Sequence, residues 1–151
     1  AHEQNLYDLD PRLTAEIAKD NEDIVVGIKT AHYYGPDWTS VDRCLEAAEL
    51  AETRVMIDFG FFKKERPYYQ LLTEKLRKGD ISTHVFRGPT PWFDSEGRVL
   101  PYLHDARSKG VILDVGHGAG SFCFRNAVPA TEQGFYPDSI STDLHVLCMN
   151  Y

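Results

Sequence analysis

The sequence predicts an α/β fold in which parallel strands alternate with helices, a segment of a (β/α) barrel, and three observations carry that reading. Five short β-rich stretches (Ile24 to Lys29, Val55 to Asp58, Ile81 to His84, Gly110 to His117 and Ile140 to Asp143) each end in a side chain able to bind metal or move protons. From Lys29 to Asp58, His84, His117 and Asp143 the steps are 29, 26, 33 and 26 residues. A barrel of roughly 250 residues has about 31 per strand–helix unit, with its chemistry at the C-terminal strand ends. Helical patterns fill the intervals, and Gly79, Gly110 and Gly134 each stand just before a strand, as right-handed crossovers between parallel strands require.

Asp10 before Pro11 is an N-cap followed by proline at the first helical position, and Leu13 and Ile17 share one face of a helix expected to reach about Asp20. Ile24-Val-Val-Gly-Ile28 is a continuous apolar run, the pattern of a strand covered on both faces. Thr39 and Asp42 have capping-box spacing, and Val41, Cys44, Leu45, Ala48 and Ala51 line a helical stripe to about Glu52. Val55 to Phe59 is the second strand. Pro67 opens a helix whose buried face is Leu71, Leu72 and Leu76, and Gly79 offers a left-handed position before a third strand, Ile81 to Phe86. Pro101 starts the next helix and Gly110 ends it. A strand to Asp114 then enters the turn Gly116-His-Gly-Ala-Gly120. A helix from Phe122 to Gln133 is expected despite Pro129, which fits only in a first turn or at a kink. Gly134 closes it, Ser139 to Asp143 is a last strand, and Leu144 to Tyr151 begins a loop.

One domain over residues 1–151 is what this length supports, and 42% apolar with 12% aromatic residues suffices for a core. The net charge of −7, with basic residues scattered among acids, argues against nucleic acid as a partner. Cys44, Cys123 and Cys148 are odd in number and lack metal-type spacing. Neither a disulfide framework nor a zinc ribbon is expected, and a reducing, cytoplasmic setting is the default. No apolar run approaches the roughly 18 residues of a membrane span and no signal-peptide pattern opens the chain, so no membrane partner is expected. The start in polar sequence without Met and the stop just after a strand suggest a fragment of a longer barrel lacking its N-terminal strands.

Ligands of parallel α/β folds bind beyond the carboxyl ends of the strands, so Lys29, Asp58, His84, His117 and Asp143 converge if the strands curl. Each also has a bland reading. Lys29 would reach solvent along its stem, Asp58 would cap a turn, His84 would be a hydrogen-bonded core histidine, and Asp143 would accept from loop N–H groups. Five independent caps would not need these residue types. Donors of the His84 and Asp143 kind suit Zn²⁺, with Mn²⁺ or Fe²⁺ also compatible. A lysine buried beside cations loses its proton easily, and the neutral amine can take up carbon dioxide as a two-oxygen carbamate bridge. Asp143 beside a metal-bound hydroxide is placed to receive its proton during attack on a carbonyl.

Val26-Gly27-Ile28-Lys29, Gly79 to His84, Leu113-Asp-Val-Gly-His-Gly-Ala-Gly-Ser-Phe122 and Ser139-Ile-Ser-Thr-Asp-Leu-His145 resemble the second half of an amidohydrolase-superfamily barrel. The likeness is greatest to the deacetylase and dihydroorotase-like metallohydrolases, which cleave acyl groups from amides or esters, and it covers about Ile24 to Asn150. It implies roughly strands four to eight of a TIM barrel, with Lys29 as the carboxylated bridging ligand, His84 as a ligand on the sixth strand, and Asp143 as ligand and general base on the eighth. His117 and His145 would lie beside the substrate. The implied chemistry is hydrolysis of an amide (non-peptide C–N) or ester acyl bond of a small molecule by a metal-activated hydroxide, with one or two divalent ions, zinc first. A homo-oligomer of the full-length protein is left open.

Two departures stand out. The family's His-x-His pair of the first strand is absent, since His2, His32 and His104 stand alone, as a missing N-terminal half would leave them. Asp58 occupies the end of the fifth strand, where the family commonly has His. Aspartate can ligate the same metals, or else one metal site is altered or lost. Two rivals are weighed. The turn Leu113 to Gly120 is similar to the glycine loop of S-adenosylmethionine-dependent methyltransferases, although only 31 residues follow Gly120. A noncatalytic, barrel-derived binding module is the other, and the isolated piece is expected to be inactive. The aromatic pairs Tyr33-Tyr34, Phe61-Phe62 and Trp92-Phe93 are expected at the same barrel end as Lys29, shaping the pocket or shielding the rim.

Overall fold

A computed structural model of the chain describes residues 2–118 and 120–146. Cys148 and the end of the expected closing loop lie outside them. Four parallel strands, β1 (Gly27–Thr30), β2 (Arg54–Asp58), β3 (Ile81–Thr83) and β4 (Ile112–Leu113), stand in one sheet in sequence order. Helices α1 (Pro11–Asp20), α2 (Thr39–Leu50), α3 (Tyr68–Gln70, continued by a π-type turn over Leu71–Lys75), α4 (Pro101–Lys109) and α5 (Phe124–Glu132) fill the connections. This is the α/β architecture of a parallel barrel segment.

The pairing register Ile28↔Val55, Lys29↔Met56 and Asp58↔Thr83 sorts the side chains into two faces. Ile28, Val55, Ile57 and Leu113 point to the helices, where they join Val41, Ala48, Leu71, Leu72, Leu76, Leu103 and Ala106 in one core cluster. The opposite face, which is the barrel interior, carries Lys29, Met56, Ile81 and Ile112 low on the strands and the carboxylates Asp58 and Asp114 at their C-terminal ends. The chemistry is therefore delivered on the side away from the helices.

Local chemistry explains most boundaries and several departures. Asp10 Oδ1 accepts from the N–H groups of Arg12 (2.9 Å) and Leu13 (3.1 Å), and Pro11 occupies the first turn. Leu13 and Ile17, however, are each 54% exposed, because α1 is buried through Ala15 and Ala18, small residues that allow close approach to α2. The expected capping box of α2 does not form. Asp37 Oδ1 accepts from Thr39 N (2.9 Å) instead, and Asp42 pairs with Lys75 (2.7 Å).

β1 begins at Gly27, three residues later than expected, because the N–H groups of Ile24 (3.0 Å) and Val25 (2.8 Å) are spent on Asn21 O. Ile24 (72%) and Val26 (81%) are exposed, so the expected cover on both faces does not hold along this edge. β3 stops at Thr83 because His84 turns left-handed, sending Val85 and Phe86 into the core. Helix α5 starts two residues late and carries Pro129 past its first turn, without the position at N1 that proline prefers. Gly79, Gly110 and Gly134 all adopt positive φ, as expected of turn glycines before a strand.

The expected last strand is reduced to one parallel bridge, Asp114↔Ser139. Val115 N still donates to Ser139 O (3.0 Å) and His117 N to Ser141 O (2.7 Å), but Ile140 is 80% exposed. No described helix is long and apolar enough to cross a membrane.

At the opposite end of the sheet from the chemistry, buried Asp80 ties two strands together. It accepts from Val55 N (3.0 Å) and from Arg77 N, Nε and Nη2 at 2.8, 2.9 and 3.0 Å. Burial pushes its carboxyl up, but the Arg77 hydrogen bonds, the Val55 N–H and the Arg77 charge outweigh it and hold the group below the usual range. A depressed carboxyl stabilises the fold above the unfolded value of about 3.9, and that contribution is lost as pH falls through the lower folded value. Asp80→Asn is expected to cost about 2–3 kcal/mol at pH 7, less than a fully buried pair because Arg77 is partly exposed. Denaturant titrations at pH 7 and below pH 3 check this: the difference between variant and wild type should shrink at the acid end.

Candidate active site

The C-terminal ends of β2 and β3 bring two expected site residues into contact. Asp58 ends β2 with its carboxylate buried. Its Oδ1 accepts from Gly60 N (3.0 Å) and lies 3.8 Å from Arg87 Nη1, which donates to Gly60 O (2.7 Å). Its Oδ2 lies 3.3 Å from His84 Nε2 and 3.3 Å from His32 Nε2. His84, just past β3, has Nδ1 2.7 Å from Gly116 O, and Asp143 Oδ2 lies 3.8 Å from the same His84 Nε2. Four chain segments thus meet around one imidazole.

Backbone conformation marks the same residues. Four described non-glycine residues have positive φ, and three of them are His32 (58°), His84 (61°) and Asp143 (46°). Such conformations cost of order 1–3 kcal/mol each and persist where the surroundings over-determine them, often at functional sites. Here each turns a side chain back over the strand ends. The glycine-rich turn after β4 is the mould. A Cβ on Gly116 would stand 2.5 Å from His84 Nδ1, and one on Gly118 would stand 2.6 Å from Asp143 Oδ2. Those glycine faces are filled by the protein's own site residues, so a glycine loop open to a nucleotide cofactor, as the methyltransferase reading needs, is not what this turn forms.

Electrostatics follow from the contacts. Burial pushes Asp58 up, yet the hydrogen bond and charge of His84, the charge of His32 and the Gly60 N–H hold its carboxyl below the usual range. Burial pulls His84 down, yet Asp58, the Gly116 carbonyl and Asp143 raise it above the ordinary imidazole value. Both shifts state one fact: two carboxylates face a single imidazole nitrogen. The Gly116 carbonyl can only accept, so Nδ1 carries a proton, and Nε2 then presents either a second proton or a lone pair.

This donor set fits a divalent cation of the zinc kind. A backbone carbonyl on Nδ1 fixes the tautomer of a metal-binding histidine and leaves Nε2 to the ion. Donors on a tetrahedral ion with bonds of about 2.0–2.1 Å stand about 3.3–3.4 Å apart, which is the spacing of Asp58 Oδ2 from His84 Nε2. Among the described residues no three His, Cys, Asp or Glu side chains enclose a single point, so these residues by themselves form no complete metal cage.

Of the residues singled out in the sequence, Asp58, His84 and Asp143 come together. Lys29 lies on the same face of the sheet, in register with Met56 and so one pleat below Asp58, and is exposed. His117 is exposed, packed on Phe122 with ring centroids 4.8 Å apart, and its backbone N–H secures the last segment. His145 is exposed, with Nδ1 3.0 Å from Asp143 O. Neither reaches the Asp58–His84 contact. His32 and Arg87 join the site without having been anticipated. Their one sequence signal is position, each three residues beyond a strand-end Lys29 or His84. The loops at Tyr33-Tyr34 and Phe61-Phe62 follow β1 and β2 at this end, with Tyr34 stacked on Phe61 at 4.1 Å. Trp92 is different: it is buried in the core against Phe86 and Phe135, its Nε1 donating to Val85 O (2.6 Å), and shapes no pocket.

Comparison with known proteins identifies the family. No family model matches the chain. It is 34% identical over 154 residues to a deacetylase of Brucella anthropi, covering 98% of this chain and 37% of that protein. Among solved structures it resembles a dihydroorotase, with TM-score 0.76 and 30% identity over 98% of this chain and 39% of that one. It also resembles an adenine deaminase, with TM-score 0.79 and 27% identity over 91% of this chain and 38% of that one. The chain belongs to the amidohydrolase superfamily. It spans 37% of the length of two curated deacetylases that it matches, those of Brucella anthropi and Agrobacterium fabrum.

Proposed function

We propose that this segment supplies the fourth-to-eighth-strand half of a metal-dependent deacetylase or amidohydrolase site that hydrolyses the amide or ester acyl bond of a small molecule. The observation that carries the reading is His84 Nε2, fixed by Gly116 O and facing the carboxylates of Asp58 and Asp143. His84, Asp58 and Asp143 would hold the ion, with Lys29, as its carbamate, a further anionic donor from β1. A divalent cation there, zinc by the chemistry of its donors, would polarise the acyl carbonyl and acidify the attacking water.

The chain's own groups supply the rest. Asp143 Oδ2 accepts the proton of the attacking water as the new C–O bond forms, and returns it to the leaving nitrogen or oxygen as the acyl bond breaks. The His84 contact, the His32 charge and the Gly60 N–H keep Asp58 charged, with His32 on its Oδ2 and Arg87 3.8 Å from its Oδ1. Phe59, Phe62 and Tyr68 line the small cavity beside Asp58 and His84. The half-buried inner face of Met56, Ile81 and Ile112 has its remaining cover in the complete barrel, so turnover belongs to the complete protein.

The complete protein should contain divalent metal by elemental analysis and should release acid from a panel of N-acetyl and O-acetyl small molecules. Absence of both overturns the reading. His32→Ala is expected to lower kcat about tenfold with little change in thermal midpoint, since its exposed ring contributes orientation of Asp58 and not packing.

A further inference from the structure

Three hydroxyls converge on one buried carboxylate beneath the site. Asp114 is 1% exposed. Its Oδ1 accepts from Ser139 Oγ (2.6 Å), and its Oδ2 from Thr83 Oγ1 (2.6 Å) and Ser141 Oγ (2.7 Å). Among the described residues no lysine, arginine or histidine pairs with it. A buried carboxylate held without a counter-ion is costly, and short O–H···O⁻ bonds are what compensate it.

Where the three donors sit in the chain gives the arrangement its meaning. Thr83 immediately precedes His84, and Ser141 stands two residues before Asp143, so Asp114 grips the chain just before each left-handed turn. Downstream in its own segment, Gly116 O takes His84 Nδ1–H and Gly118 lies against Asp143. Attaching the last segment to the sheet does not need the carboxylate, because Val115 N and His117 N already bond Ser139 O and Ser141 O. The geometry points to Asp114 as a positioning residue that sets the separation of His84 Nε2 and Asp143 Oδ2 and thereby the affinity of the site for a divalent ion. This rests on the reading that His84 and Asp143 hold the ion. Asp114 itself touches neither ion nor substrate. It acts through Thr83 and Ser141, one hydroxyl to each side of the site.

The test uses the complete protein and Zn²⁺ as the probe, with dissociation constants from competition against a chromophoric chelator and thermal midpoints measured on the metal-free forms. Removal of partners that orient metal ligands typically costs 10- to 100-fold in affinity. Ser141→Ala is expected to weaken Zn²⁺ binding about tenfold, with a metal-free midpoint within a few degrees of wild type, and Ser141→Thr should restore it. Asp114→Asn should weaken binding further, since an amide offers one acceptor oxygen to three hydroxyls. The Co²⁺ form of Ser141→Ala should show an altered visible absorption, which a purely structural role would leave unmoved. If Asp143→Asn loses zinc while Ser141→Ala and Asp114→Asn bind it like wild type, the positioning role is wrong and the active-site reading stands. If Asp143→Asn binds zinc unchanged, the active-site reading fails, and this inference with it. Should Asp114→Asn not fold, the Ser141 pair decides.

Discussion

Asp143→Asn is expected to lower kcat about 10³-fold, within the range for loss of a positioned general base, while KM changes by less than about threefold. The two side chains have nearly the same shape, so the left-handed backbone at residue 143, which Asn tolerates as readily as Asp, is retained. The close approach of Gly118 to Oδ2 is equally satisfied by an amide. What disappears is the charge facing His84 Nε2 at 3.8 Å and the capacity to take a proton. Asp143 is 39% exposed at its side chain where Asp58 is 4%, so of the two carboxylates on His84 it is the one that water and substrate can reach. Asp58→Asn should therefore act differently, weakening the metal site and the fold more than it slows a loaded enzyme. Steady-state kinetics at saturating zinc, beside circular dichroism and melting of each variant, distinguish the two. Equal kcat losses in both variants at saturating zinc would refute the division of labour.

How far the sequence foretold this depended on the kind of signal each residue gives. Strand ends were legible because apolar runs stop abruptly at charged or imidazole side chains, and the unit period of the barrel set those ends at a common level. Asp58 and Asp143 both face His84 Nε2, at 3.3 and 3.8 Å. Lys29 lies on the same face of the sheet as Asp58, yet its partners are not fixed by any pattern within the chain. His32 stands isolated in the sequence because its link to Asp58 depends on a left-handed turn held by Gln4, whose Nε2 donates to His32 O (2.6 Å) and whose Oε1 accepts from Tyr34 N (3.0 Å). Contacts that span nearly thirty residues leave no local periodicity. Leu13, Ile17, Ile24 and Val26 failed for another reason. Apolar periodicity reports that a face wants cover, and the cover for these residues is not provided by the described elements. Trp92 shows the converse, since an aromatic in a proline-rich loop reads as pocket lining or rim shield while its indole N–H has a carbonyl to bond inside the core.

Gly116→Ala should do more damage than any side-chain deletion at the site, removing both stability and metal affinity. The new methyl would overlap Thr83 Oγ1 and stand 2.5 Å from His84 Nδ1 and 2.9 Å from His84 Cε1, closer than real Cβ atoms come. Neither neighbour can yield cheaply. Thr83 Oγ1 is bonded to buried Asp114, and the His84 ring is held between Gly116 O and Asp58 Oδ2. The φ of 53° adds its own penalty of about 1–2 kcal/mol for an L side chain. Together with one buried hydrogen bond lost, the expected destabilisation is about 3 kcal/mol. Zn²⁺ affinity should fall at least 100-fold, because the imidazole swings away from both carboxylates. Gly120→Ala in the same turn is the control: a Cβ there meets nothing within 4 Å, and the variant should melt and bind zinc like wild type. If alanine is harmless at both positions, the turn is not a mould for His84, and the glycines of Gly116-His-Gly-Ala-Gly120 need another explanation. If it is harmful only at residue 116, the close approach of that backbone to the imidazole is what the motif is for.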